Sequence, residues 1–236
     1  MIKNFKLDIN IDILKILALV CMSLDHVAKY LLENGLLKDC FIGIGRTSFP
    51  IFSFLLMMHL AKKNIFKKYI SRLLVFGVIS LCLMILFQNL LIDVKFFPLN
   101  ILISFLLAVV FLKVCDLIEK EEGPKYIKAM MYCFSFFVFS FLSLVCDYGA
   151  YGFFLLICLY LYFKQKNNII LAIILLLSCL INIGEYWFVS FFVMVVLFFN
   201  QYESVHKRII NKWWIFYAYY PLHLFIILLI KLIITT

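Results

Sequence analysis

Two residues of the first apolar stretch, Lys15 and His26, are of types that a group transfer at a membrane would need. One is a fixed cation; the other is an imidazole able to take or give a proton near neutrality. They lie in IDILKILALVCMSLDHVAKYLL, residues 11–32, which is long and apolar enough to cross a bilayer and also holds Asp25. A cation or carboxylate at membrane depth costs at least ~2.5 kcal/mol, so such groups face a protein interior or a wet cavity. Eleven residues of helix turn back to within roughly 20° of the same face and rise about 16.5 Å. One stripe of one helix therefore carries an ammonium near one membrane surface and an imidazole well inside. Asp25 points about 100° away from His26, so adjacency in sequence does not make the two a dyad.

Further candidates follow along the chain. Arg46 stands at the outer end of GIGRTSFPIFSFLL. It snorkels to headgroups or takes a carboxylate partner, for which Asp25 is the candidate at comparable depth. Pro50 removes a backbone donor and is expected to kink the helix there. Arg72 opens the next apolar stretch behind Lys67 and Lys68, and its planar fork suits a phosphate better than a lysine does. Asn100 reads as an N-cap or a site residue. Asp147, just before Gly149 and Gly152, reads as a capped turn or a site. His59 lies at an inner interface, and Glu185 in a turn beside an aromatic anchor. His223 lies about ten residues beyond Trp213, near the middle of the last stretch, as a helix-to-helix hydrogen-bonding group or a catalytic partner.

The elements that must position these groups are set by composition. Hydrophobic residues make up 66% of the 236, charged residues 15%, and the mean hydropathy is +1.08. Soluble domains run near ~45–50% apolar, so the expected class is an all-α polytopic transmembrane bundle. Spans of ~20 residues fall at 11–32, 42–61, 69–90, 98–118, 126–145, 149–163, 168–183, 186–200 and 213–234. That is about nine helices, of which the sixth to eighth are short. No linker or repeat breaks the pattern, so residues 1–236 read as a single integral domain. The first stretch lacks a small-residue cleavage site and reads as a retained helix.

The net charge of +9 would suggest nucleic acid in a soluble protein, but here the basic residues sit in alternate short loops. Lys62, Lys63, Lys67, Lys68, Lys164, Lys166, Lys207 and Arg208 share one side, while the opposite loops hold Lys38 and Lys95 among Glu33, Asp39, Asp93 and Asp147. This is the positive-inside pattern. It places the amino terminus inside and the carboxyl terminus outside, with anionic lipid as partner and no role for nucleic acid. The eight cysteines form no CxxC pair or zinc-ligand spacing and read as small buried apolar residues. Cys40 and Cys146 alone lie near outer loops where a disulfide could persist.

The spacing of Lys15, ten residues and His26 resembles the signature of the membrane-bound acyltransferase-3 superfamily. The context Leu14-Lys15-Ile16 with Asp25-His26 is similar to its TraX branch, the pilin acetylases of conjugative plasmids. Gly45-Arg46 followed by Phe49-Pro50-Ile51-Phe52, Arg72-Leu73-Leu74, Pro98-Leu99-Asn100 and Tyr220-Pro221-Leu222-His223-Leu224 resemble the same family in order. The most specific element is Asp147-Tyr148-Gly149-Ala150-Tyr151-Gly152.

The resemblance implies a bacterial cytoplasmic-membrane acyltransferase that moves acetyl from acetyl-CoA to an acceptor, with no metal. That acceptor would be the amino terminus of a pilin-like protein or a hydroxyl of a surface glycan. On this reading Lys15 and Arg72 hold the donor phosphates, and His26 with Asp25 is catalytic. Arg46, Asn100, Asp147, Tyr148, Tyr220 and His223 bind the acceptor or orient the catalyst. A different class, a proton-coupled transporter, would string Lys15, Asp25, His26, Asp147 and His223 into a relay; the sequence shows no inverted repeat or paired broken helices.

Overall fold

The computed structural model describes residues 10–63, 65–87, 99–182, 186–199 and 214–235. Pro98, Gly184, Glu185, Trp213 and the basic residues of 201–213 lie outside them. Among the described residues ten helical segments follow one another: α1 (Ile11–Leu31), α2 (Leu36–Gly45), α3 (Ser48–Lys63), α4 (Phe66–Leu86), α5 (Ile101–Lys120), α6 (Lys125–Ser143), α7 (Gly149–Gln165), α8 (Asn168–Leu180), α9 (Trp187–Phe199) and α10 (Trp214–Thr235). Counting α2 and α3 as one bent span gives the nine expected. Outside the helices, the described residues pair only at a parallel bridge between Leu99 and Cys146.

Among the described residues, five spans are long and apolar enough to cross a membrane: the joined α2–α3, α4, α5, α6 and α10. The 21-residue α1 has the length but carries Asp12, Lys15, Asp25 and Lys29. Helices α8 and α9, at 13 residues each, reach only about 20 Å against a hydrocarbon core of ~30 Å. This is an all-helical membrane protein.

Local chemistry sets the helix ends. Asn10 caps α1 by accepting from the Asp12 amide at 2.8 Å. The second span begins earlier than its hydropathy suggests, at Leu36, and breaks at Arg46-Thr47 rather than at Pro50. The reason is steric: a proline ring crowds the carbonyl four residues back, here that of Arg46. Thr47 closes the break by donating its hydroxyl to the Ile44 carbonyl at 2.8 Å. Pro50 itself lies in the first turn of α3, where a missing N–H costs nothing.

The described chain forms two compact units, Met1–Leu56 with Ala172–Thr236, and Met57–Leu171. In the first, α1 packs on both α2 and α10, with Ala18, Ala28, Phe49, Leu224 and Leu228 buried. In the second, α5 packs on α4, α6 and α7, and Phe111 gathers Phe136, Phe139 and Phe153 at ring separations of 5.5–6.2 Å. The outer face of α6 shows Phe134, Phe137 and Phe141, each at least 70% exposed. So much bare aromatic surface suits hydrocarbon rather than water.

All eight cysteines are free thiols. Only Cys21 and Cys146 are buried; Cys40, Cys82 and Cys133 are exposed, which corrects the expectation of uniformly buried cysteines. On an apolar helix surface facing lipid, a thiol meets the same kind of environment as in a core. Burial pushes the Cys146 thiol up to about 11, so it remains protonated and inert.

Candidate functional site

The first unit brings α1 and α10 side by side through three polar or charged contacts. The Lys15 ammonium lies 4.8 Å over the Phe216 ring, Ser23 Oγ is 2.9 Å from the Tyr219 hydroxyl, and His26 Nδ1 is 2.7 Å from His223 Nε2. Rising numbers on one helix meet rising numbers on the other, so the two run in the same direction. On α1 Lys15 and His26 share a stripe, as their spacing requires, and Ser23 lies about 60° round from His26, still turned toward α10.

The hydrogen-bond directions follow from what each atom can do. His223 Nδ1 lies 2.8 Å from the Tyr219 carbonyl. A carbonyl only accepts, so this nitrogen carries the proton. With both imidazoles neutral, His223 Nε2 is then a bare acceptor, and His26 Nδ1 must donate to it. The proton of His26 is thereby fixed on Nδ1, which leaves Nε2 as a lone pair. Nothing among the described residues hydrogen-bonds to it. The two rings lie edge to edge in nearly one plane, centroids 5.0 Å apart and 9° between planes, while Tyr220 stands edge-on to both, 5.9 Å from His26 and 5.5 Å from His223.

Asp25 diverges from His26 as the helical rotation demands, toward α2. There Gly45 allows the approach: a Cβ on it would meet Asp25 Cβ at 2.3 Å and Cα at 2.9 Å, so any side chain would force α1 and α2 apart. Lys29, one turn on, pairs with Asp25 Oδ2. The Asp25 side chain is only 10% exposed, and Oδ1 is buried with no hydrogen-bond partner among the described residues. Arg46 follows Gly45, and its charge, like that of Lys29, bears on His26. The sequence offered Arg46 as partner for Asp25, but Lys29 takes Oδ2. An i, i+4 acid–base spacing was the signal for Lys29.

Lys15 is not idle either: it pairs with Asp12 at 2.8 Å. An ammonium has three hydrogens, so this bond and the ring contact leave it able to meet another anion.

The second unit holds the remaining candidates, and the main chain uses the side chain of one of them, Asn100. Asn100, fully buried, caps α5 by accepting from the Leu102 and Ile103 amides at 3.1 and 3.2 Å. Its amide group donates to the Gly77 carbonyl of α4 at 2.9 Å. The Asp147 amide donates to the Leu99 carbonyl at 2.8 Å, and its carbonyl accepts from Ser104 Oγ at 3.0 Å. The N-cap of α7 is Tyr148, not Asp147. Tyr148 and Gly149 both adopt left-handed backbone, φ 63° and 52°. For a tyrosine this is costly and held only by its surroundings. Arg72 lies half-buried in α4 of this unit.

Ser23, Lys29 and Tyr219 were not among the sequence candidates. Ser23 lies three residues before His26 and Tyr219 four before His223, each on the inward stripe of its helix. That spacing was visible; the pairing of the two stripes was not.

An all-helical protein with bilayer-length helices and a directed imidazole pair held between two of them is the class that fold and site define. The family model described as TraX protein matches residues 10–231. The chain belongs to the TraX family. It is also 26% identical over 228 residues to the "Probable fimbrial assembly protein FimC, serogroup H1" of Dichelobacter nodosus, covering 89% of this chain and 91% of that one. No solved structure matches.

Proposed function

We propose that this chain is an integral acyltransferase of the bacterial cytoplasmic membrane, of acyltransferase-3 type, acting as one catalytic domain over residues 1–236. It transfers acetyl from cytoplasmic acetyl-CoA to an amine, the amino terminus of a pilin-like protein. The observation that carries this reading is the 2.7 Å bond from His26 Nδ1 to His223 Nε2, because it leaves a lone pair on His26 Nε2. A general base needs that atom bare and that ring held.

The acceptor nitrogen attacks the thioester carbonyl carbon as His26 Nε2 takes its proton. The C–N bond forms, the C–S bond breaks, and the departing sulfur receives the proton from His26. The products are the acetylated amine and CoA thiol. While His26 is charged, His223 Nε2 accepts from its Nδ1–H and spreads the positive charge, with the Tyr219 carbonyl fixing the second ring. Lys15, about 16.5 Å away along α1, meets the CoA phosphates near the inner surface, and Arg72 is a candidate for the same role. Arg46 and Tyr220, beside His26, orient the acceptor. Asp25 anchors Lys29 and the α1–α2 contact.

Two further observations support the reading. The fimbrial-assembly name of the Dichelobacter relative fits a pilin-like acceptor. The shared direction of α1 and α10 fits an amino terminus inside and a carboxyl terminus outside. A transporter is less well served: the imidazole pair ends on a backbone carbonyl, which cannot pass a proton onward. The deciding experiment is transfer of labelled acetyl from acetyl-CoA by purified protein in vesicles, offered a pilin-derived peptide or a glycan. Label on the peptide amine supports the proposal; label on the glycan alone replaces the acceptor; no label with either removes the enzyme reading.

A further inference from the structure

We propose that the hydroxyl pair Ser23–Tyr219 is a positioning device that holds α10 in register on α1 and so decides which nitrogen of His26 is bare. This rests on the acyl-transfer reading for its consequence but not for its geometry. Ser23 donates its proton to the Leu19 carbonyl within α1 at 3.0 Å. Its oxygen can then only accept across the 2.9 Å to Tyr219, whose hydroxyl must donate.

Two bonds thus cross the helix pair in opposite senses: Tyr219 of α10 donates to α1, and His26 of α1 donates to α10. The Tyr219 ring lies on the His223 ring at 5.2 Å and 17°, and His223 meets His26 edge to edge through the 2.7 Å bond. Fixing the phenol therefore fixes the plane of the His223 ring, and with it the aim of its Nε2 at His26 Nδ1. Tyr219 also supplies the carbonyl that takes the His223 proton. One residue thus holds the second imidazole by its backbone and by its face.

α10 needs such a hold. Pro221 sits between Tyr219 and His223, and a proline removes the backbone bond to the carbonyl four residues back, that of Tyr217, in the turn that carries Tyr219. If the two helices slip, His26 Nδ1 loses its acceptor. The proton is then free to sit on Nε2, and the base is lost from the substrate side.

Tyr219→Phe keeps the ring and the carbonyl and removes only the hydroxyl. The expected result is a fall in kcat of about tenfold, in line with loss of one hydrogen bond, with the KM for acetyl-CoA unchanged and the melting temperature lowered by no more than about 4 °C. Ser23→Ala should do the same, the double variant no worse than either, and Ser23→Thr should restore the rate. Nitrogen NMR of labelled histidines in bilayers gives a readout independent of turnover: the parent shows His26 and His223 each protonated on Nδ1, and Tyr219→Phe shows His26 divided between both nitrogens. Parental kcat and parental histidine signals in Tyr219→Phe would overturn the proposal, as would additive effects in the double variant. Should the parent transfer no acetyl at all, the enzyme reading fails alone, and the histidine signals still decide whether the pair sets the tautomer.

Discussion

In the α1–α10 seam and in the α4–α5–α7 region, residues of equal prominence in the sequence serve different ends. The seam joins side chain to side chain, His26 to His223 and Ser23 to Tyr219, and leaves one imidazole nitrogen uncommitted. In the other region Asn100 spends its side chain on main chain, two amides and a carbonyl, while the backbone of Asp147 is tied to Leu99 and Ser104. A polar group whose atoms are consumed by backbone holds architecture. One left with a bare atom can meet a substrate. The family motif therefore mixes two kinds of residue that only their partners distinguish.

The comparison breaks first at His26. His26→Ala is expected to lower acetyl transfer by about 10²–10⁴ while acetyl-CoA binding stays within a few-fold, and His26→Gln should do no better because an amide cannot take the proton. Near-parental turnover in His26→Gln would remove the base from this position. His223→Ala should cost roughly 10–100-fold in kcat, the usual toll of losing a group that orients another. A larger loss than that of His26→Ala would make His223 the base instead.

Lys15→Ala and Arg72→Ala test the donor: each is expected to raise the acetyl-CoA Kd by about tenfold, the worth of a charged hydrogen bond to phosphate. Binding like the parent in both would reduce them to topological charges. Asn100→Ala sharpens the contrast from the other side. It should destabilise by about 2 kcal/mol, through a lost cap and an orphaned Gly77 carbonyl, yet leave kcat per folded molecule unchanged. A KM effect without a melting shift would return Asn100 to the site.

The smallest perturbation concerns orientation. A cysteine at position 63, in a chain otherwise without cysteine, should stay silent to an impermeant reagent in intact cells, while a chain keeping Cys40 alone should react. The opposite pattern would put the Lys15 end of the seam outside.

Much of this was legible in the chain. Apolar run length set the helices, because a bilayer demands ~20 residues whatever the neighbours, and the observed ends of α1, α5, α6 and α10 lie close to those expected. Rotation along α1 told that Lys15 and His26 share a face and that Asp25 leaves it, since both follow from the pitch of a single helix. The capping of α5 by Asn100 was one of the two roles the sequence offered, because capping is local chemistry; its bond to the Gly77 carbonyl came only with the fold. The break at Arg46 came one turn ahead of Pro50 because a proline acts on the carbonyl four residues behind it.

Partner choice could not be read in this way. His223 stands 197 residues from His26, and no local rule says which of several polar groups a buried imidazole will meet. Packing of α10 on α1 made that choice. It also left Lys29 to take Asp25 and turned two hydroxyls toward each other. The sequence by itself determined that an imidazole lies deep in the first helix; the tertiary structure decided which of its nitrogens is bare, because a tautomer is set by the atom on the other side of the hydrogen bond.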